Sequence, residues 1–268
     1  MELGDRMKMY EQAEASRKAM PLLPLCVRLD GRAFHSWTKG LKRPHDEKFC
    51  GLMHSVTKLL VEETNAKVGY TQSDEISLVL YSQTMESELF FDGKFHKINS
   101  VCAAIASSMF NSLAREIFPE KPLATFDCRA WNVPNIGEAA NALLWREEDA
   151  TKNSVSMAAR SMYSHKQVQN KKRSEMQEMM HEKGKNWNNY PECFKRGAYF
   201  RRVTREMFLS DEQLAKIPEG KRPPPGTLYE RSVVERMSLP PLSTISNKIG
   251  CLFFGEDPQP IIPVGGTE

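Results

Sequence analysis

The stretch Leu25-Cys26-Val27-Arg28-Leu29-Asp30-Gly31-Arg32 is a short, mostly apolar run that stops abruptly at an aspartate and a glycine. That pattern predicts a buried strand delivering a carboxylate and a flexible backbone position to its C-terminal edge. Further on, Val68 to Gln72 leads into a second acidic pair, Asp74-Glu75, and Ile76 to Tyr81 follows as another strand. Between the two acidic points, from Asp46 onward, Phe49, Leu52, Met53, Val56, Leu59 and Leu60 recur at spacings of three and four, the mark of an amphipathic helix. Ile98, Val101, Cys102, Ile105, Met109, Leu113 and Ile117 mark a second helix, stopped near Pro119 and Pro122, and Thr125 to Val133 reads as a third strand. The order strand, helix, strand or hairpin, helix, strand predicts an α+β fold with helices packed on a mostly antiparallel sheet.

Working outward, Asp5 to Met20 reads as a polar helix ended by Pro21 and Pro24. Asn153 to Lys183 reads as one long helical stretch, with methionines at 157, 162, 176, 179 and 180 and the basic run Lys171-Lys172-Arg173. A strand is expected over Tyr199 to Val203. Nine of the sixteen prolines lie between Pro218 and Pro263, which predicts a loop-rich tail laid over the body or ordered by a partner. The expected division is a core at 1–150, a helical basic region at 151–217 continuing the same fold, and a proline-rich tail at 218–268.

Hydrophobic residues make up 40% and charged residues 26% of the 268, a balance that excludes wholesale disorder or a fibrous repeat. The six cysteines are scattered without a C-x-x-C pair, which argues against a zinc knuckle or a disulfide framework and fits a reducing compartment. No apolar run approaches the ~18 residues of a membrane span, and the first twenty residues lack the apolar core of a signal peptide. A cytoplasmic protein with no membrane partner is expected. The net charge is only +3, yet Arg160 to Glu206 holds twelve Lys/Arg against five Asp/Glu. Such a region either grips a polyanion or is a solvated helical face.

Two readings of Asp30 and Asp74 are open on spacing alone. As paired carboxylates at one sheet edge they suit Mg²⁺, which prefers oxygen ligands and leaves positions for phosphate oxygens; as turn residues they cap loops. Arg28, Arg32, His35, Lys39, Lys42 and Arg43 surround Asp30 with basic or titratable groups, and Gly31 lets backbone N–H groups approach an anion. Trp187, Tyr190, Phe194, Tyr199 and Phe200 interleave with Lys185, Lys195, Arg196, Arg201 and Arg202. These aromatics either stack unpaired bases at an RNA end or form the core of the C-terminal half.

Val27-Arg28-Leu29-Asp30-Gly31-Arg32-Ala33-Phe34-His35, followed by Gln72-Ser73-Asp74-Glu75-Ile76-Ser77, resembles the tRNA-His guanylyltransferase superfamily. Lys97-Ile98, Phe126-Asp127-Cys128-Arg129, and Trp145-Arg146 with Asp149 add to the resemblance, which spans about Leu25 to Asn153. It implies a palm-like (ferredoxin-like) catalytic core and an enzyme adding nucleotides to RNA 5′ ends in the 3′–5′ direction. By this resemblance Asp30, the Gly31 carbonyl and Asp74 hold two Mg²⁺ ions, with Asp30 and Asp74 catalytic. Asp30 to His35 (Gly31, Arg32, Ala33 and Phe34 between them), Ser73, Asp74, Arg43 and Lys97 contact the nucleotide. Glu75 belongs to the motif without an assigned ligand role. The implied chemistry activates the 5′ phosphate with ATP or GTP, after which the 3′-hydroxyl of an incoming nucleoside triphosphate attacks; Arg28, Arg32 and Lys97 supply countercharge. Arg28, Lys152, Asn153, Lys166, Lys171, Lys172 and Arg173 are expected to contact RNA, the helix near Lys166 to Lys185 holding tRNA phosphates, and a homotetramer, a dimer of dimers, is implied.

One departure bears on specificity. Members that mature tRNA-His resemble one another in His-Ile-Asn-Asn-Leu-Tyr-Asn after the W-R-x-x-D stretch, whereas here Thr151 stands in the histidine's place and only Asn153 clearly survives. The resemblance is therefore to the guanylyltransferase-like branch, which copies a template to repair truncated tRNA 5′ ends. The alternatives are a tRNA-His guanylyltransferase adding G at position −1 and a non-catalytic RNA-binding protein that keeps the palm-like fold. A nucleotide cyclase is disfavoured by the basic half.

Overall fold

Alternation along the first strand decides which way the molecule is layered. In β1 (Leu25–Gly31), Leu25, Val27 and Leu29 face one side and Cys26, Arg28 and Asp30 the other. The computed structural model describes residues 1–224 and 226–261. Its helices are α1 (Leu3–Ala15), α2 (Phe34–Trp37), α3 (Glu47–Thr64), α4 (Phe95–Ile117), α5 (Ile136–Arg160), α6 (His165–Val168), α7 (Arg173–Glu182), α8 (Glu192–Lys195) and α9 (Asp211–Ala215). With β2 (Val68–Gln72), β3 (Glu75–Leu80), β4 (Phe126–Asn132), β5 (Ala198–Phe208) and β6 (Leu228–Met237), β1 forms one sheet of order β4-β1-β3-β2-β5-β6. Every neighbouring pair is antiparallel.

The Leu25–Val27–Leu29 face packs with Ile76, Leu78 and Leu80 against α3 and α4, burying Leu52, Val56, Leu60, Ile98, Ala106 and Phe110. The opposite face, with Cys26, Val68, Tyr70 and Val79, is covered by α5 and by the segment around Leu242 to Leu252. A third cluster, Val155, Ala158, Val168, Met176, Met180 and Trp187, packs α6 and α7 onto the C-terminal turns of α5. The α+β reading of an antiparallel sheet with packed helices is the fold observed.

Three expectations differ in detail. The first helix ends at Ala15 rather than Met20, because Lys18 bridges to Lys94 and the Ala19 amide donates to the Gly93 carbonyl, pulling that segment out extended. The long helix expected over 153–183 stops at Arg160 and instead begins upstream at Ile136. Beside Leu143, its first half buries Ala139, Ala140, Glu147 and Ala150, residues too small or polar to print a strong apolar period. The segment after 217 is not mainly loop, since β6 pairs residue by residue with β5 from Met237↔Tyr199 to Leu228↔Phe208. Its prolines cluster outside the strand, at 223–225 and 240–241, leaving ten residues free to pair. The rest of the expected tail, 262–268, lies outside the described residues. The aromatic question resolves toward the core: Trp187, Tyr199 and Phe200 are buried, and Tyr190 and Phe194 pack partly buried beside Trp187.

Candidate active site

Asp30 sits between two other strands, opposite Glu75 of β3 and Asp127 of β4, so three carboxylates stand in a row on one face of the sheet. The β2–β3 connection adds a fourth, because Gln72 pairs with Glu75 and leaves Ser73-Asp74 as a two-residue turn with Ser73 at a φ of 50°. Like charges this close repel unless something compensates them. Two are compensated within the chain. Arg146 on α5 takes Glu75 with both Nε (2.6 Å) and Nη2 (2.7 Å) and also reaches Asp149 at 3.0 Å, and Arg129 takes Asp127 at 2.8 Å. Among the described residues, Asp30 and Asp74 have no cationic partner within ion-pair distance.

Burial pushes the Asp74 carboxyl up to about 6; the Ser73 hydroxyl and the residue's own amide pull it back, and the Asp30 charge adds to the rise. The Gly31 amide donates to the Asp74 carbonyl at 3.1 Å, and no bond returns from the Asp74 amide to the Gly31 carbonyl. Two unpaired carboxylates and an under-used carbonyl at one edge form an all-oxygen donor set, which fits a hard divalent cation such as Mg²⁺. Gly31 is required there sterically: a Cβ would meet the Phe34 ring at 2.3 Å.

Two cavities, about 450 and 620 Å³, share Asp30, Ser73, Asp74, Met157 and Arg160 on their walls. The larger is also lined by Gly31, Ala33, Phe34, His35 and Arg43, so the structure brings those residues to one space. The Phe34 ring is 3% exposed and packs against Trp37, Phe110 and Phe126, serving as wall and core together. The smaller cavity is lined by Arg146, Asp149 and Asn153 of α5, and Asn153 donates to Asp149 at 3.1 Å.

Several expected residues lie elsewhere. Arg32 lines neither cavity, and its amide is taken by the Thr125 carbonyl at 2.9 Å. Arg28 shares the face of Asp30, but its guanidinium lies 5.9 Å from the Trp131 ring and 5.4 Å from the Trp145 ring. Lys97 is further removed. Ser107 of α4 accepts from the Phe126 amide beside Gly31, and Lys97 is about 15 Å back along the same helix, its ammonium 5.8 Å from the Phe91 ring. Lys152, Lys166, Lys171, Lys172 and Arg173 line neither cavity and are exposed on α5 to α7. Thr151 does not line the cavities either, because its hydroxyl donates to the Glu147 carbonyl within α5 at 2.9 Å. Arg160, on both cavity walls, and the Arg146 grip on Glu75 were not legible as site residues. The helical spacing of Arg146, Asn153 and Arg160 would have found them had α5 been recognised over its full length.

Residues 4–134 match the family profile described as tRNAHis guanylyltransferase. A tRNA(His) guanylyltransferase of Saccharomyces cerevisiae is 30% identical over 222 residues, covering 74% of this chain and 91% of that protein. A solved bacterial tRNA(His) guanylyltransferase-like protein in complex with ATP superposes with a TM-score of 0.72 at 40% identity, covering 75% of this chain and 88% of its own. Another, in complex with GTP, gives a TM-score of 0.70 at 30% identity over 95% of this chain and 99% of its own. With the sheet order, the paired aspartates and these likenesses in agreement, the chain belongs to the tRNA-His guanylyltransferase family of nucleotidyltransferases.

Proposed function

We propose that this chain is a Mg²⁺-dependent 3′–5′ nucleotidyltransferase that extends tRNA 5′ ends, with template-directed repair of truncated tRNAs as its task. The observation that carries the reading is the uncompensated pair Asp30 and Asp74, set at the junction of two cavities while their neighbours Glu75 and Asp127 are neutralised by arginines. Asp30, Asp74 and the Gly31 carbonyl would hold two Mg²⁺ ions, which when bound offset negative charge on the attacking and leaving oxygens of a phosphoryl transfer. Two cavities meeting at one metal site suit a reaction that handles an activating nucleotide and an incoming one in turn.

The chain's own groups set the rest. Arg160 and Arg43 place positive charge on the walls where triphosphate oxygens would lie. Asp74 must lose its proton to serve as a ligand, and the Arg146 clamp keeps Glu75 from adding a third free negative charge beside it. The exposed Lys152, Lys166, Lys171, Lys172 and Arg173 would track tRNA phosphates, setting affinity and register rather than sequence. Repair is favoured over strict tRNA-His maturation by Thr151: its hydroxyl donates its only proton within its own helix and has none left to donate to a base edge. The homotetramer and the cytoplasmic location belong to the same proposal.

The test is a gel assay with ATP, Mg²⁺, all four nucleoside triphosphates and two 5′-monophosphorylated tRNAs, full-length tRNA-His and a non-histidine tRNA lacking its first nucleotide. Extension of the truncated tRNA by the base complementary to the opposing strand is expected. Addition of a single G to tRNA-His alone would replace repair by tRNA-His maturation, and no addition to either would overturn the reading.

A further inference from the structure

The wall of the smaller cavity opposite α5 gathers chemistry that nucleotide transfer does not use. Cys50 and His54 lie one helical turn apart on one face of α3, His45 immediately precedes the capping residue Asp46, and Cys193 arrives on α8. Ligand atoms of His45, Cys50 and Cys193 lie within 4.8 Å of one another. His54 stands beside this trio, its Nε2 3.3 Å from the Cys50 Sγ, while the Cys193 Sγ is 3.9 Å from the His45 Nε2. All four residues are half-buried.

We propose that His45, Cys50, His54 and Cys193 form a Cys₂His₂ zinc site that fastens α8 to the N-terminal end of α3. Three observations carry it. The donors are soft sulfur and imidazole nitrogen, which select zinc over the magnesium suited to the aspartates. The sulfur-to-nitrogen edge of a tetrahedron built from Zn–S bonds of about 2.3 Å and Zn–N bonds of about 2.0–2.1 Å is about 3.5 Å, and the observed 3.3 and 3.9 Å straddle it. The rings are also already held: His45 stands 5.6 Å from the Phe194 ring and His54 5.4 Å, edge to face, from Phe200. Two thiolates offset the dication, so the closed site carries no net charge.

Four protein ligands leave no open position, which makes the role structural. The metal ties together segments that lie far apart in sequence. It would brace the wall of a cavity whose other side carries Asp74 and Asn153. Zinc bound here is separate from the carboxylate pair, and the test keeps the two apart.

Full-length protein, made without a histidine tag or chelator and desalted, is assayed for metal by plasma mass spectrometry. About one zinc per chain is expected. Asp74→Ala should keep it, whereas Cys193→Ser and His45→Ala, each checked for folding by circular dichroism, should lower it at least roughly tenfold. Cobalt added to zinc-free protein should give a thiolate-to-metal charge-transfer band that weakens by at least half in Cys193→Ser, where only the Cys50 thiolate remains. Wild-type protein holding only trace zinc and showing no such band would overturn the proposal, as would full zinc retained by the Cys193→Ser/His45→Ala double variant. A Cys50–Cys193 disulfide in protein prepared under reducing conditions would overturn it too.

Discussion

Arg146 grips Glu75 at two points, Nε to Oε1 at 2.6 Å and Nη2 to Oε2 at 2.7 Å, and does so where the Glu75 side chain is almost out of water. Removing one member of such a pair strands a buried charge, which costs more than the pair contributes. Arg146→Ala is expected to destabilise the fold by about 3 kcal/mol, Glu75→Gln/Arg146→Ala to recover much of that, and Arg146→Lys to rescue only in part because an ammonium lacks the planar fork. Urea denaturation of the double-mutant cycle measures the coupling. Strict additivity would mean the pair is not the unit described.

Asp74 binds its proton more tightly folded than unfolded, since burial lifts its carboxyl to about 6. Its contribution to stability is therefore fully present below pH ~4, the ordinary aspartate range, and is lost as the pH rises through about 6. Without divalent metal, Asp74→Asn should exceed wild type in stability by about 2 kcal/mol at pH 7.5, allowing for partial exposure, and should show no advantage at pH 4. Thermal melts at the two pH values check this. Added Mg²⁺ should narrow the gap by stabilising wild type alone, and an advantage that is independent of pH would refute the assignment.

Glu147 is 4% exposed and makes no ion pair among the described residues, Arg196 acting on it only from a distance; it accepts hydrogen bonds from the Tyr199 hydroxyl and the Leu242 amide, both at 2.9 Å. Burial raises its carboxyl above the usual range. Glu147→Ala would leave two buried donors unmet and should cost about 3 kcal/mol, with Glu147→Gln milder because an acceptor oxygen remains. Chemical denaturation decides it; a loss below about 0.5 kcal/mol would mean water replaces the carboxylate.

The basic helices make a salt-dependent prediction. Replacing Lys171, Lys172 and Arg173 by glutamine should weaken tRNA binding alike for all tRNAs and lower the log–log salt slope by about 2, since Lys171 is already shared with Glu175 at 3.1 Å. Fluorescence anisotropy across a salt series measures it. An unchanged slope places the RNA path elsewhere on the molecule.

What could be read from residues alone followed the strength of their periodicity. The β1 run, the β2–β3 hairpin and the α3 and α4 stripes were plain because large apolar side chains repeat at regular spacing. The start of α5 was hidden because most of its buried positions are alanines, and β6 because proline density was averaged across a segment whose middle has none. The aspartate pair was visible as motif, yet its distinction from Glu75 and Asp127 depends on which arginine reaches which carboxylate, and only the sheet register reveals that. Lys97 shows the converse, a motif residue that the axis of α4 carries away from the pocket. Likewise Cys50 and Cys193, scattered in sequence, meet only after the chain has folded back on itself.

The position of β6 at the sheet's outer edge sets an order of events during synthesis. A nascent chain that has emerged as far as α9 already contains both aspartates and the strands that carry them, but β5, paired with β2 on one side, still lacks β6 on the other, and Glu147 still awaits the Leu242 amide. Vectorial synthesis therefore delivers the two aspartates before the lattice that supports them. A product cut short before β6 would carry the two aspartates on an unfinished scaffold, so the placement of β6 couples translation through that strand to a completed sheet.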